Sequence, residues 1–314
     1  MKVFVYDAWG GPEKLRMTQQ QPSAPGPGQI RVRIEVISVN PADWKVLAGK
    51  YRLICKGRFP RRAGIEGAGT ILAVGDEVSC LAPGDRVALG LDPIDGRTGT
   101  WSEEATLSMT RAYPIPAGVA TRDAASLPIA GLTAWQMCAI ARVGAGKRVL
   151  ISGASGGVGS YALQIARALG AQITAMGSEP NRALLETLGA HTFIDYRRSP
   201  VERISGTWDA ILDCANVLRS VSGRLLSPDG RYADTDPRPL TLTRDKIRNL
   251  LPGPKRTTVM VGVDPAGMDA LFALVAAGKV RPLVASELRF AELPEAVSRC
   301  LDGHSVGKQL VLLA

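Results

Sequence analysis

The stretch best suited to chemistry is Gly153-Ala154-Ser155-Gly156-Gly157-Val158-Gly159. Its glycines permit turn conformations barred to side chains, let the backbone approach a pyrophosphate, and allow a helix to pack closely on a strand. A helix opening at the end of such a turn adds unpaired N–H groups and the positive end of its dipole. The chemistry on offer is therefore the holding of a phosphate-bearing dinucleotide. The residues Met176-Gly177-Ser178-Glu179-Pro180-Asn181-Arg182 bear on which dinucleotide is held. An Asp or Glu at the end of the second strand binds the ribose hydroxyls of NAD, whereas a 2′-phosphate wants hydroxyls and a cation. Gly177 stands at the acid's position, and Ser178 and Arg182 are the candidate phosphate ligands. Glu179 either turns outward or binds ribose. NADPH is the favoured cofactor.

Such a turn needs a strand before it and a helix after it. The apolar run Arg148-Val149-Leu150-Ile151-Ser152 supplies the strand, helical spacing over 158–169 supplies the helix, and Gly170 followed by 172–176 supplies the next strand. Candidate strands follow at 192–194, 210–213, 230–233 and 258–263, then a helix at 266–277 and a closing strand at 309–313. Before about Ala120 the texture differs, with short strands at 29–38, 69–74, 85–89 and 101–107 between prolines and glycines. The organisation expected is a mostly β domain over 1–118, a dinucleotide-binding domain over 119–265, and a return to the first domain over 266–314. The fold class is α/β, with the parallel-sheet unit as an insertion.

The chain has 314 residues, 46% hydrophobic and 21% charged, enough apolar material for sizeable cores and too much for disorder. No apolar run approaches the length of a membrane span, and the opening Met1-Lys2-Val3-Phe4-Val5-Tyr6-Asp7 alternates like a strand where a signal peptide would not. A cytoplasmic location is expected. The five cysteines, Cys55, Cys80, Cys138, Cys214 and Cys300, are odd in number and scattered, and read as mostly buried thiols. His191 and His304 lie near glycine turns without a partner that suggests catalysis.

The net charge of +9 suits nucleic acid, a membrane surface or a phosphate-bearing ligand. No zinc-finger spacing, aromatic RNA-binding signature or basic heptad helix is present, so neither nucleic acid nor membrane is expected as a partner. Residues 44–65 carry Lys45, Lys50, Arg52, Lys56, Arg58, Arg61 and Arg62 with no acidic residue. This is either a solvated loop or a recruiter of a phosphate, a carboxylate, coenzyme A or an acyl carrier. Arg244, Lys246, Arg248, Lys255 and Arg256 form a second basic region, read as surface.

Taken in order, several segments resemble the motifs of the medium-chain dehydrogenase/reductase superfamily, in its zinc-free quinone oxidoreductase (zeta-crystallin-like) and enoyl reductase branch. They are Ser38-Val39-Asn40-Pro41-Ala42-Asp43, Gly64-Ile65-Glu66-Gly67-Ala68-Gly69, Pro83-Gly84-Asp85-Arg86-Val87, Gly131-Leu132-Thr133-Ala134-Trp135, Gly156-Gly157-Val158-Gly159 and Gly307-Lys308. The resemblance covers essentially the whole chain. It implies a GroES-like β domain with an inserted Rossmann domain built on a doubly wound parallel sheet, and a homodimer. It also implies that Asn40 and Asp43 lie near the nicotinamide end, and that Thr133, Ser155, Gly156, Gly157, Val158, Ser178 and Arg182 line the cofactor groove. Tyr196 would lie along its adenosine side, with Lys308 near the cofactor. Asn40 and Asp43 equally suit a turn held by side-chain-to-backbone hydrogen bonds. Glu66 reads as a buried orienting carboxylate.

Zinc-dependent members of that superfamily carry Cys-His where this chain has Asn40-Pro41, and His-Glu where it has Ile65-Glu66. Proline and isoleucine cannot ligate a metal. Without a Lewis acid, hydride delivery suits a carbon already activated by conjugation: a quinone, an α,β-unsaturated carbonyl or an enoyl thioester. Enoyl-thioester reductases of the branch place a Tyr after a Gly-x pair, where Gly49-Lys50-Tyr51 stands. Tyr51 is accordingly either the proton donor or an aromatic of the pocket wall, where Trp44 and Trp135 join it against a flat substrate. The function expected is NADPH-dependent reduction of a quinone or conjugated carbonyl. A thioester-specific enoyl reductase, or a slow or non-catalytic NADPH-binding redox-sensing or structural protein, are the alternatives.

Overall fold

Alternation sets the first strands. In the computed structural model, which describes every residue except Lys56, Gly57, Pro93, His304 and Ala314, the third strand puts Ile30, Val32 and Ile34 inward and Arg31, Arg33 and Glu35 outward. The expectations placed on Lys56 and His304 lie outside the described residues. The strands of this region are β1 (Lys2–Tyr6), β2 (Leu15–Gln19), β3 (Gln29–Val39), β4 (Arg61–Arg62), β5 (Glu66–Val74), β6 (Arg86–Gly90), β7 (Glu104–Ser108) and β8 (Ala112–Pro114). Helix α1 (Pro41–Leu47) follows β3 directly, and α2 (Thr121–Ala124) packs on β3, β5 and β6. Trp101, expected to open a strand, instead lies just before β7, fully buried in the core with Phe4, Ile30, Ile37 and Leu89.

Continuous apolar strands set the second region, because a parallel sheet covered on both faces has no wet side to alternate with. Its elements are α3 (Leu132–Ile140), β9 (Arg148–Ser152), α4 (Gly157–Ala168), β10 (Gln172–Gly177), α5 (Arg182–Leu188), β11 (Thr192–Asp195), β12 (Trp208–Asp213), α6 (Ser222–Leu225), β13 (Leu226–Asp234), α7 (Pro239–Arg248) and β14 (Lys255–Thr258). All neighbouring strands pair in parallel, in the order β11-β10-β9-β12-β13-β14. The sheet grows from β9 to one side and resumes at β12 on the other, which is the doubly wound arrangement with its switch point beside β9.

The strand expected over 258–263 ends where the sequence reading began it. Thr258 pairs with Asp234, the last residue of β13, and the Val259 N–H donates to the Asp234 carbonyl; beyond that point β13 offers no backbone to pair with. The chain continues through α8 (Pro265–Ala276), β15 (Val284–Arg289), α9 (Leu293–Leu301) and β16 (Lys308–Leu312). β16 is interior to the first region's large sheet, between β15 and β3, and carries Leu310 and Val311 into the core. Two compact units result: Met1–Ile129 with Val263–Phe272 and Val284–Ala314, and Ala130–Gly262 with Ala273–Leu283. The mixed α/β architecture combines a mostly antiparallel unit with a parallel-sheet unit. Among the described residues no helix is long and apolar enough to cross a membrane.

Candidate functional site

In the first unit the site begins at the β3–α1 junction. Pro41 opens α1 and Asn40 caps it, while Asp43, one turn in, reaches back so that its Oδ2 accepts the Asn40 N–H at 2.8 Å. Its Oδ1 accepts the Ile65 N–H at 3.1 Å, tying α1 to the segment before β5. The side-chain-to-backbone turn anticipated for this pair is present. It also frees the Asn40 amide for other work: Nδ2 donates to Glu66 Oε2 at 2.8 Å, and Oδ1 accepts from Lys308 Nζ at 2.5 Å.

Glu66 is the hub. Its Oε2 also accepts from Ser38 Oγ at 2.7 Å and Lys308 Nζ at 3.1 Å, and its Oε1 takes the Ile129 N–H at 2.6 Å. Lys308 completes its three donors on the Val39 carbonyl at 3.1 Å. Lys308 is 3% exposed and Glu66 fully buried, so this is an ion pair inside the unit, with every ammonium proton engaged on first-unit groups. Its visible effect is to fix which way the Asn40 amide faces. Burial pushes the Asp43 carboxyl up to about 7, against the Asn40 and Ile65 N–H bonds and the Lys308 charge, which pull it down.

Trp44 lies half-buried one residue after Asp43, with Lys50 Nζ 4.5 Å from its ring centroid. Tyr51 sits in the turn after α1, where its carbonyl accepts the Ile54 and Cys55 N–H groups. Trp44, Tyr51, Asn40, Asp43 and Lys308 thus belong to the first unit, whereas Thr133 and Trp135, both on α3, belong to the second.

In the second unit the glycine turn joins β9 to α4. Gly153 has φ +57°, and a Cβ on Gly159 would fall 2.1 Å from the Gly153 carbonyl oxygen, so the first turn of α4 lies directly on the loop. The turn that follows the first strand of a doubly wound sheet, with a helix N-terminus behind it, fits a dinucleotide pyrophosphate. Ser155, Gly156, Gly157 and Val158 are all part-exposed there. A Cβ on Gly177, at the end of β10, would stand 2.8 Å from Leu185 Cδ1, so a ribose-binding Asp or Glu there requires the Leu185 side chain to shift.

Asn181 was not singled out from sequence. Its Nδ2 donates to Ser155 Oγ at 3.1 Å and to Ser178 Oγ at 3.3 Å, joining the glycine turn to the β10 end. Its place between Pro180 and Arg182 in a polar turn is the only signal that pointed to it. Arg182 is engaged by Glu186 at 2.9 Å and Glu179 at 3.5 Å, which answers where Glu179 turns. Tyr196 is exposed, its N–H bonded to the Gly177 carbonyl. Asp213, the buried last residue of β12, was also missed: it accepts from Ser152 Oγ, Tyr232 Oη and the Val217 and Leu218 N–H groups, pinning the loop beside Gly153.

Residues 26–117 match the alcohol dehydrogenase GroES-like domain and 188–311 the zinc-binding dehydrogenase domain. A chloroplastic quinone-oxidoreductase of Triphysaria versicolor is 31% identical over 99% of this chain and 98% of its own. The chain belongs to the quinone oxidoreductases of the medium-chain dehydrogenase/reductase superfamily. A mitochondrial NAD(P)H oxidoreductase of Homo sapiens is 32% identical over 99% of this chain and 89% of its own. The quinone oxidoreductase structure from Coxiella burnetii superposes with a TM-score of 0.89 at 25% identity, covering 100% of this chain and 99% of that one. The GroES-like and Rossmann-type units are those of the superfamily.

The zinc in one matched domain's description does not suit the donors of this quinone oxidoreductase site. The Asn40 amide is committed to Glu66 and Lys308, Pro41 and Ile65 have no donor atom, and an ammonium already neutralises Glu66. Among the described residues no three His, Cys, Asp or Glu stand together as a metal site.

Proposed function

We propose that this oxidoreductase uses NADPH to reduce a quinone, or the β-carbon of an α,β-unsaturated carbonyl, without a metal. The observation that carries the reading is the glycine turn at the switch point of a parallel sheet in a quinone oxidoreductase chain. Ser155, Gly156, Gly157 and Val158 would hold the pyrophosphate, with Thr133 and Tyr196 along the same groove. When bound, the reduced nicotinamide supplies a hydride.

Ser178, Asn181 and Arg182 offer a hydroxyl, an amide and a cation to a 2′-phosphate, and Gly177 leaves no carboxylate to repel it. Arg182 must then exchange Glu179 or Glu186 for the phosphate, an easy step between half-exposed side chains. Asn40 is proposed as a fixed part of the wall near the reacting groups, its amide held by Glu66, Lys308 and the Ser38 carbonyl. Tyr51 Oη is the candidate donor of the proton that completes reduction, with water as the other source; Trp44, in the same unit, is proposed as an aromatic face for the substrate. The mitochondrial relative's name supports a nicotinamide cofactor, and the chloroplastic relative's name supports a quinone acceptor. The thioester-specific alternative gains no support from these relatives.

The test is oxidation of NADPH and NADH, side by side, with a simple quinone, an aryl enone and crotonyl-coenzyme A. Quinone or enone turnover with NADPH ahead of NADH supports the reading, and turnover confined to the thioester overturns it. Arg182→Ala is expected to cut the NADPH preference about tenfold, as loss of one charge-assisted contact to phosphate would. An unchanged preference removes Arg182 from the phosphate site.

A further inference from the structure

The basic stretch 44–65 is not used up by the proposed reaction. Two of its arginines, Arg58 and Arg62, meet Arg97, Gln20, Pro60 and Gly96 around a cavity of about 520 Å³ in the first unit. No acidic side chain is among these lining residues. Arg62 is half-buried, and its Nε and Nη2 both donate to the neutral Gln20 Oε1, at 3.2 and 2.6 Å, so its charge is oriented without being neutralised there. Arg97 has a carboxylate, Asp95, only at 3.7 Å and in a strongly exposed pair, which water screens.

Beneath the wall lies a further charge. Arg61 is 1% exposed, fixed by bonds to Tyr6 Oη and the Ile94 carbonyl, and Gly96 lies flat on its guanidinium: a Cβ at Gly96 would stand 2.4 Å from Arg61 Cζ. The wall is therefore positive on its surface and just below it. Guanidinium groups along one wall suit a phosphoryl group, whose several oxygens each accept N–H donors and carry the opposite charge. The volume exceeds what a bare phosphate needs and falls in the range of sites for small organic ligands.

We propose that this cavity is a phosphoryl-binding site, taking a phosphate monoester through Arg58, Arg62 and Arg97 with Gln20 holding Arg62 in place. The site is distinct from the glycine turn, which lies in the second unit, and it holds whether or not the reaction above is the right one.

Isothermal titration of the intact protein with inorganic phosphate and with glycerol 3-phosphate tests the proposal, in wild type and in Arg58→Ala/Arg97→Ala, at constant ionic strength. Saturable binding that weakens at least about tenfold in the variant, with an unmoved thermal midpoint, is expected from loss of charge-assisted contacts. Tighter binding of glycerol 3-phosphate points to an organic ester, and equal binding of the two points to free phosphate, the site standing in either case. Binding of equal strength in wild type and variant places the anion elsewhere, and absence of saturable binding removes the site; either result overturns the proposal.

Discussion

Asp43 and Glu66 are both buried carboxylates bonded to the same asparagine, Asp43 to its backbone N–H and Glu66 to its side-chain amide. Glu66 has an ammonium against it, whereas Asp43 has two backbone N–H groups and burial, and burial wins: its carboxyl rises from 3.8 to about 7. Between those two values the unfolded chain has released the proton and the folded chain has kept it, so folding stability falls as pH rises from about 4 to 7; below and above that window this group adds no slope. Asp43→Asn is expected to flatten this fall while costing one hydrogen bond at every pH, and urea midpoints from pH 4.5 to 8 measure both. For Glu66→Gln, the Lys308 ammonium is left buried against neutral partners, a loss of about 3–5 kcal/mol. Urea unfolding measures it, and Glu66→Gln with Lys308→Met should recover most of the loss, since the pair rather than either charge is what the interior tolerates.

At the scale of elements, the glycine turn depends on contact between α4 and the loop before it. Gly159→Ala puts a methyl within 2.1 Å of a backbone oxygen that cannot rotate away, so the helix start must move off the turn. NADPH affinity, followed by fluorescence titration, is expected to drop at least tenfold, roughly the worth of a misplaced pyrophosphate contact. Gly156→Ala, whose Cβ would meet the same oxygen at 3.3 Å, is expected to lose less. This turn was legible in sequence because everything it needs is consecutive: an apolar strand, glycines, and helical spacing. The end of the sheet was legible only in part. Nothing local in 258–263 says where pairing stops, since that is decided by the last residue of β13, more than twenty positions away.

The chain leaves its first unit, builds most of the second, and returns for good only at Val284, so the first unit is not complete until its last strand is in place. β16 is an interior strand bearing Leu310, Val311 and the buried Lys308. A chain stopped after Gly307 is expected to lose the cooperative unfolding of the first unit and to expose its β3 and β15 edges. Circular dichroism on thermal ramping, with light scattering for aggregation, reads both effects. Such a truncation also removes Glu66's counter-charge, Lys308. By itself the sequence determined the α/β class, the glycine turn, the strand and helix that bracket it and the superfamily, because these rest on periodicity and on residues adjacent in the chain. Only the tertiary structure decided that Lys308 closes a network with Glu66 and Asn40, that Asn181 bridges Ser155 and Ser178, and that three arginines share one cavity. Those contacts join residues up to 268 positions apart. A charge's partner at such a distance is set by how the strands pack, and composition and spacing carry no record of it.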